Sequence, residues 1–139
     1  MPVTQTAILP DHILAAVLAL AKQELERTSQ KDRLAFRSHD FQLQDVFDEL
    51  RRMGKYSILN AFVFSDSGPE PYSPVLNESV SRLQLSGLIG RENPDYEVVF
   101  LRPAADRFFD DVLRSEFDPS QLQQLTEVAS QFLKRVKVV

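Results

Sequence analysis

The spacing of apolar residues along the chain predicts mostly helices. In the first helix, which we expect to begin at Pro10–Asp11, apolar side chains recur every three or four residues and form one broad face. A second helix is predicted after Ser38 or Asp40, either of which can cap it, and Gly54 is expected to end it. The buried stripe of this second helix comprises Leu43, Val46, Phe47 and Leu50.

Three other segments in the first half lack a helical period. Residues 1–9 are predicted to be a loose N-terminus, and the charged segment Glu26–Arg33 a helix end and surface connector. In Tyr56–Phe64, "YSILNAFVF", both alternating sets of residues are apolar, so periodicity does not separate a buried strand from a buried helix. Its aromatic and β-branched content favours a strand in the C-terminal half.

The segment from Gly68 to Arg102 predicts a short helix followed by a β-hairpin. Ser73 is the expected helix cap, and Gly87 the expected end. "LIGR" and "YEVVFLR" flank the turn sequence "ENPD" and are predicted to be the two strands, the second with one buried face. Regular structure before the helix is excluded by three prolines, Pro69, Pro71 and Pro74, the last of which suits the first helical position. The predicted buried stripe of the helix comprises Leu76, Val80 and Leu83.

The last third of the chain predicts two more helices. Pro103 opens the first, whose expected buried stripe is Ala105, Phe108, Phe109 and Val112. The second, predicted over residues 118–137, has Asp118 as its cap and Gln121 completing a capping box. A narrow apolar seam along it either joins two copies of the chain symmetrically or packs against the Phe108/Phe109 helix. The seam comprises Leu122, Leu125, Ala129, Phe132 and Val136.

These elements predict an α+β fold that is mostly helical. We expect residues 1–139 to form a single domain, in which residues 72–102 supply a winged-helix-like core: a short helix followed by a β-hairpin wing, with additional N- and C-terminal helices. The alternative is an α+β domain whose hairpin only covers the core. A composition of 43% hydrophobic and 26% charged residues is ordinary for a globular protein.

One stretch resembles a known family. "GPEPYSPVLNESVSRLQLSGLI" is similar to the Gly-Pro turn, helix and leucine-glycine-leucine exit of uncharacterised bacterial and phage-associated proteins related to the Panacea domain of SocA-like antitoxins. The similarity covers residues 60–90 and implies an antitoxin, a partner-binding adaptor or a regulator, without catalytic activity. The matching residues are Phe62, Phe64, Gly68, Pro69, Tyr72, Ser73, Pro74, Leu76, Leu83, Gly87, Leu88 and Ile89.

Charge argues against strong binding to nucleic acid. The chain has a formal net charge of −4, and the segment Tyr72–Arg102 carries three arginines against four carboxylates. DNA-binding proteins neutralise several phosphates with Lys and Arg, which this segment does poorly. We therefore expect regulatory protein–protein binding, with a DNA-binding transcription regulator that uses the helix 73–86 and the wing 88–101 as the alternative. Candidate contact residues for a partner or for DNA are Tyr72, Ser73, Asn77, Ser81, Arg82 and Arg91.

Two of these expectations have a plain structural alternative. Tyr72 either anchors a protein contact or packs its ring over the base of the hairpin. A basic group formed by Arg51, Arg52 and Lys55 is explained by the negative end of the second helix. It becomes a phosphate or acidic-partner site only if it meets Lys31, Arg33 and Arg37 in space.

No catalytic, metal-binding or cofactor motif is found in the sequence. There is no cysteine, and His12 and His39 are the two histidines. His39–Asp40 is expected to serve helix capping, and "DSG" at residues 66–68 an ordinary turn. The adjacent carboxylates Asp48–Glu49 and Asp110–Asp111 are expected to diverge on their helices. We predict a protein that is not an enzyme and has no cofactor.

The run Ile13–Ala21 is the one segment that needs testing as a membrane or export signal. It is far shorter than the roughly 20 residues that span a bilayer. No Lys or Arg precedes it, unlike a signal peptide. We expect a cytoplasmic protein without membrane contact.

Overall fold

The structure combines several helices with a small three-stranded antiparallel sheet, so the architecture is α+β and mostly helical, as predicted. The structure is a computed structural model and describes residues 8–29, 31, 33–37, 42–65, 68–69, 71–92 and 98–138. In chain order the elements are α1 (Pro10–Thr28), β1 (Ala35–Arg37), α2 (Gln42–Arg52), a 3-10 helix (Ser57–Ala61), α3 (Pro74–Leu85), β2 (Ile89–Arg91), β3 (Val98–Leu101), α4 (Pro103–Phe108), a π-helical turn (Phe109–Leu113), α5 (Arg114–Glu116) and α6 (Pro119–Arg135).

The helix α1 lies at the centre of the core. It packs against α6 and α3 and also contacts β3 and the π-helical turn. The apolar surface is broader than one face, because every residue from Ile13 to Ala19 is buried. Four of these side chains are alanines or valines of small volume, so neighbouring elements approach α1 from several directions. In the second half of α1, the partly buried Lys22 pairs with Asp106 of α4 and with Glu26.

The sheet has the strand order β1-β3-β2, with both pairs antiparallel. The two hairpin strands β2 and β3 were predicted, but β1 was not, since three residues are too few for an alternating pattern to be recognised. The prediction of one buried face for the second hairpin strand is wrong. Successive residues of a strand point to opposite faces, and both Val98 and Val99 are buried, so both faces of β3 are covered at this point.

The hairpin contains a close approach between a glycine and an aromatic ring. Gly90 of β2 lies opposite Phe100 of β3. A Cβ atom at Gly90 would lie 2.6 Å from Cζ of Phe100 and 2.9 Å from a terminal nitrogen of Arg102. These separations are shorter than van der Waals contact, so any side chain at position 90 displaces the ring.

The segment Tyr56–Phe64 contains a 3-10 helix and no strand of the sheet, so the strand prediction is wrong. Buried side chains recur at Tyr56, Leu59 and Phe62, which is a spacing of three. A 3-10 helix has three residues per turn and aligns such side chains on one side. The apolar residues between them hid this period in the sequence.

The helix that begins at Pro103 changes its pitch. The stripe was predicted to pass through Phe108 and Val112, but Ala105, Phe109 and Leu113 are the buried residues. The π-helical turn has more residues per turn than an α-helix, so it moves the buried position from 112 to 113. Val112 is consequently exposed.

Helix ends agree with the capping chemistry where the structure describes them. The Asp118 side chain accepts a hydrogen bond from the Gln121 backbone N–H at 2.8 Å, and the Gln121 side chain accepts one from the Asp118 N–H at 2.9 Å. Gly54 and Gly87 have positive φ values of 74° and 81° after α2 and α3.

Residues 38–40, 66 and 93–97, which include the proposed cap of α2 and much of the hairpin turn, lie outside the described residues, as do residues 1–7.

The first prediction concerns Gly90. Gly90→Ala is expected to lower the free energy of unfolding by about 1–3 kcal/mol, because the new methyl group overpacks against the Phe100 ring. In a Phe100→Ala background the same change should cost much less, since the obstructing ring is gone. Urea unfolding of the four proteins in this double-mutant cycle measures the difference. An equal cost in both backgrounds would contradict the close approach.

Candidate functional site

The start of α3 is fixed by a network around Ser73. Its Oγ accepts a hydrogen bond from the Leu76 N–H at 3.2 Å and so caps the helix, as predicted. The Gln44 side chain of α2 accepts from the Ser73 N–H at 2.8 Å and donates to the Ser73 carbonyl at 3.0 Å. Ser73 is completely buried. The prediction that it contacts a partner or DNA is therefore wrong, since its polar groups are used to join α2 to α3.

The other helix candidates lie on the exposed side of α3. We call this side the α3 outer face, and it comprises Asn77, Glu78, Ser81, Arg82, Gln84 and Leu85. In the described part of the chain, the side chains of Asn77 and Ser81 make no hydrogen bond, so they have donors and acceptors to offer. The buried side of α3 carries Leu76, Ser79 and Leu83. Val80, predicted to be buried, is only half-buried and faces a cavity.

The cation of the α3 outer face is engaged within the chain. Arg82 Nε donates to Asp11 Oδ2 at 2.7 Å, and its Nη1 lies 3.7 Å from Glu78 Oε2. Burial raises the pKa of Asp11, but the hydrogen bond and the positive charge of Arg82, together with smaller effects of other neighbours, outweigh it and hold that pKa below its ordinary value. The pair also connects the first turn of α1 to α3. A phosphate that bound Arg82 would have to compete with two carboxylates.

Cations near the hairpin are engaged in a similar way. Arg33 forms an ion pair with Glu92, just beyond β2. The guanidinium groups of Arg33 and Arg102 both lie over the Phe100 ring, each 5.2 Å from its centroid. Arg91 donates from Nε to Gln84 Oε1 at 3.1 Å, which connects β2 to the α3 outer face.

Three of the predicted contact residues meet at one cavity of about 280 Å³. We call it the sheet cavity, because the three strands form its floor. Tyr72, Asn77 and Arg91 contribute to its lining together with Gln44. The sequence did not predict this cavity, since its lining residues are dispersed over six elements and a loop. The apolar lining residues are Leu18, Phe36, Leu43, Val80, Ile89 and Val99.

Tyr72 closes the turn before α3 and lines the sheet cavity, and its role as an anchor for a protein contact stays a prediction. Its backbone pairs with Ser65 through two hydrogen bonds of 2.8 and 3.1 Å, which closes the turn before α3. Its half-buried side chain lines the sheet cavity, beside Asn77 and Arg91. In the described residues its hydroxyl makes no hydrogen bond. It is therefore a cavity residue with a spare polar group.

A second surface feature is an open groove beside the C-terminal end of α3, which we call the Leu85 groove. The side chain of Leu85 is 87% exposed, which is exceptional for a leucine. Leu88 and Phe108 continue the apolar surface. Polar residues also line the groove: Asp11, His12, Arg82 and Ser86.

The apolar seam of α6 lies inside the chain's own core. Leu125, Ala129 and Phe132 are at most 1% exposed, and Val136 is also buried, while Leu122 is half-buried. The side chains pack mainly against α1 and α2, with Phe132 meeting the rings of Phe36 and Phe47 edge-on. The interpretation of these residues as a dimer seam is thus wrong. The other alternative named the Phe108/Phe109 helix as their packing partner, but that partner is mainly α1.

The basic group at the end of α2 has a structural role. Arg51 and Arg52 each donate to Asp48, over N–O distances of 2.7 Å to its two oxygens. Arg51 also lies over the Phe64 ring. Burial raises the pKa of Asp48, but the hydrogen bonds from Arg52 and Arg51 outweigh it and hold that pKa below its ordinary value. The arginines therefore neutralise a buried carboxylate of their own helix.

The titratable side chains that the structure describes do not converge on a reaction centre. Asp48 and Glu49 diverge, because Glu49 pairs with Arg135. His12 Nδ1 lies 2.7 Å from Glu116 Oε2 and its ring meets Phe108 edge-on. Within the described residues, no group of three or more metal-binding side chains is found. His39, Asp40 and Asp66 lie outside them.

Comparisons with family models, with curated proteins and with solved structures find no match to this chain. The resemblance to Panacea-domain proteins therefore stays a prediction. In the described residues, none of the helices combines the length and the apolar content that crossing a membrane requires.

The second prediction concerns Asp48. A carboxylate whose pKa is lowered by folding stabilises the native state above the unfolded pKa, near pH 4, and loses this effect as pH falls through the folded pKa. Asp48→Asn should therefore lower the free energy of unfolding at pH 7 by about 1–3 kcal/mol and flatten its fall below about pH 4.

The control is Asp110→Asn, which removes an exposed pair with Arg114. It should cost about 0.5 kcal/mol or less, because exposed ion pairs contribute little. Urea unfolding at several pH values compares the variants. Equal losses at the two positions would contradict the role given to Asp48.

Proposed function

We propose that this protein is a cytoplasmic, non-enzymatic binding module of the winged-helix type. In this proposal it recognises another protein through the α3 outer face and the Leu85 groove, in a regulatory role such as that of an antitoxin or an adaptor. A nucleic acid and a membrane are not its main partners. The single observation that carries the proposal is the pairing of Arg82 with Asp11 and Glu78. This pairing engages the positive charge of the α3 outer face, whose other residues offer polar and apolar contacts.

The winged-helix assignment is supported by the order of the elements. Helix, strand, helix, helix and two strands follow one another, and the first strand pairs with the last. One feature departs from a DNA-reading helix-turn-helix, whose two helices are joined by a turn of about three or four residues. Here the 3-10 helix and a proline-containing loop separate α2 from α3.

Electrostatics favours a protein over a nucleic acid as the partner. Non-specific DNA affinity comes from cations that release counterions when they neutralise phosphates. Arg82 is the single cation in the sequence of α3, and its two carboxylate neighbours make the local charge negative. A phosphate would be repelled by these carboxylates unless they were displaced first.

Exposed apolar surface supports the same conclusion. Leu85 projects almost fully into solvent beside Leu88 and Phe108. An apolar patch with a polar rim is typical of a surface that another protein covers. Charged backbone phosphates would gain nothing from it.

The second candidate is a DNA-binding transcription regulator, which the order of the elements favours. In that case α3 enters the major groove, and Asn77 and Ser81 contact base edges. The hairpin would then lie against the sugar-phosphate backbone. The two candidates differ in their dependence on salt.

The third prediction separates these candidates. Fluorescence anisotropy with labelled duplex DNA is expected to give weak binding, with a dissociation constant of about 10 μM or more at physiological salt. Asp11→Asn/Glu78→Gln should strengthen DNA binding, because Arg82 is released from both carboxylates. The control Asp111→Asn/Glu127→Gln changes the net charge equally at exposed positions away from α3 and should have a smaller effect. Tight wild-type binding that weakens steeply with salt would overturn the preference for a protein partner.

The fourth prediction tests partner binding directly. A photo-crosslinking residue at Ser81 should capture a discrete protein partner in the native cell, whereas one at exposed Gln123 of α6 should not. Leu85→Asp should abolish this capture without changing stability by more than about 0.5 kcal/mol, because the side chain is exposed. Val63→Asp is the matched control, since Val63 is a 68% exposed apolar residue outside the site. Unchanged capture by the Leu85 variant would count against the proposed surface.

A further inference from the structure

We propose that the sheet cavity binds a small phenol, that is, a compact and uncharged molecule with a single ring and one hydroxyl group. This inference does not depend on the proposed function, because it concerns a different surface and a different class of ligand. It is based on the buried apolar floor of the cavity and on the side chains of Tyr72 and Asn77, which make no hydrogen bond in the described residues.

The floor of the cavity is an apolar surface on one face of the sheet. Phe36 of β1 lies opposite Val99 of β3 in the strand register, so their side chains share a face, and β2 contributes Ile89. All three residues are at most 3% exposed. Leu18 of α1, which is also buried, lines the same space. A ligand that contacted these side chains would lose most of its hydration, which is the property of a ligand site and not of a shallow surface groove.

Size restricts the ligand to a compact molecule. An apolar cavity of about 150 Å³ stays dry and accepts benzene. The sheet cavity has a volume of about 280 Å³, so it accommodates a single ring with one or two small substituents. A rigid ring also loses less conformational freedom on binding than a flexible chain of the same size.

The lining favours an uncharged ligand. Apolar side chains make up most of it, and Arg91 carries the one charge among the described lining residues. Arg91 is already engaged within the chain, by Gln84 and by a further interaction. A charged ligand would therefore leave water without a partner for its charge, which is strongly unfavourable. A neutral molecule avoids this cost.

Two polar side chains favour a hydroxyl group on the ligand. The Tyr72 hydroxyl and the Asn77 amide border the cavity, and each can both donate and accept a hydrogen bond. A phenol hydroxyl has the same two capacities, so it can accept from one of these side chains while it donates to the other. Gln44 also lines the cavity, but both ends of its amide are bonded to the backbone of Ser73.

The test uses methyl-labelled full-length protein and NMR titration with three probes at neutral pH. The probe p-cresol is the phenol, p-xylene has a methyl group in place of the hydroxyl, and 4-methylbenzoate has a carboxylate there. We expect p-cresol to shift the methyl resonances of Val80, Ile89 and Val99, with a dissociation constant of about 1 mM or lower. The probe 4-methylbenzoate should bind at least about tenfold more weakly, because its charge would be buried without a counter-ion.

Tyr72→Phe isolates the contribution of the hydroxyl group. It should weaken p-cresol binding about two- to tenfold by removing one hydrogen bond, and it should leave p-xylene binding unchanged. The variant should fold as the wild type does, because the Tyr72 hydroxyl makes no hydrogen bond in the described part of the chain. Tyr56→Phe is the matched control, since Tyr56 is a buried tyrosine outside the described cavity lining. It should leave the binding of both probes unchanged.

A substitution of Val80 tests the apolar part of the proposal. Val80→Phe occupies the cavity and should abolish the binding of both p-cresol and p-xylene. Should this variant fold poorly, the smaller increase in Val80→Leu should weaken both probes by a similar factor, because it removes volume that either probe needs.

Four results would overturn the proposal. One is the absence of shifts at the cavity methyl groups at about 10 mM p-cresol. A second is shifts confined to Leu85 and Leu88, which would place the binding site in the Leu85 groove. A third is an equal effect of Tyr72→Phe on p-cresol and p-xylene, which would remove the hydroxyl group from the ligand class. The fourth is binding of 4-methylbenzoate as tight as that of p-cresol, which would contradict an uncharged ligand.

Discussion

The burial of α1 is the constraint on which the remaining structure depends. A helix that is apolar almost all round must be covered on several sides, and here α6, α3 and the sheet each cover part of it. The apolar seam of α6 packs against α1 and is therefore not available to a second copy of the chain. The orientation of α3 follows as well, because its buried side is committed to α1 and its opposite side is left in solvent.

Local chemistry was readable from the sequence, whereas the identity of packing partners was not. Ser73, Asp118 and Gly87 mark helix ends through hydrogen bonds and backbone conformations that involve only near neighbours in sequence. The stripe on α6 was recognised correctly as apolar, but periodicity does not state what covers a stripe. The strand β1 and the 3-10 helix were missed because each is too short for its period to appear against apolar neighbours.

The candidate site illustrates the same limit in electrostatic terms. Counting charges between residues 72 and 102 indicated a poor phosphate-binding segment, and that count needs no coordinates. The ion pair that engages the cation of α3 joins Arg82 to Asp11, which is distant in sequence and comes close only when α1 packs on α3. The sheet cavity is still less predictable, since no two of its polar residues Gln44, Tyr72 and Arg91 belong to one element.

The cavity and the α3 outer face are physically connected. Asn77 belongs to both, and Arg91 at the cavity mouth is bonded to Gln84 on the outer face. The same helix is held at its start by Gln44 and Ser73, which lie next to the cavity. Asn77 therefore lies on the edge that the cavity shares with the outer face, so a substitution at this residue alters both surfaces.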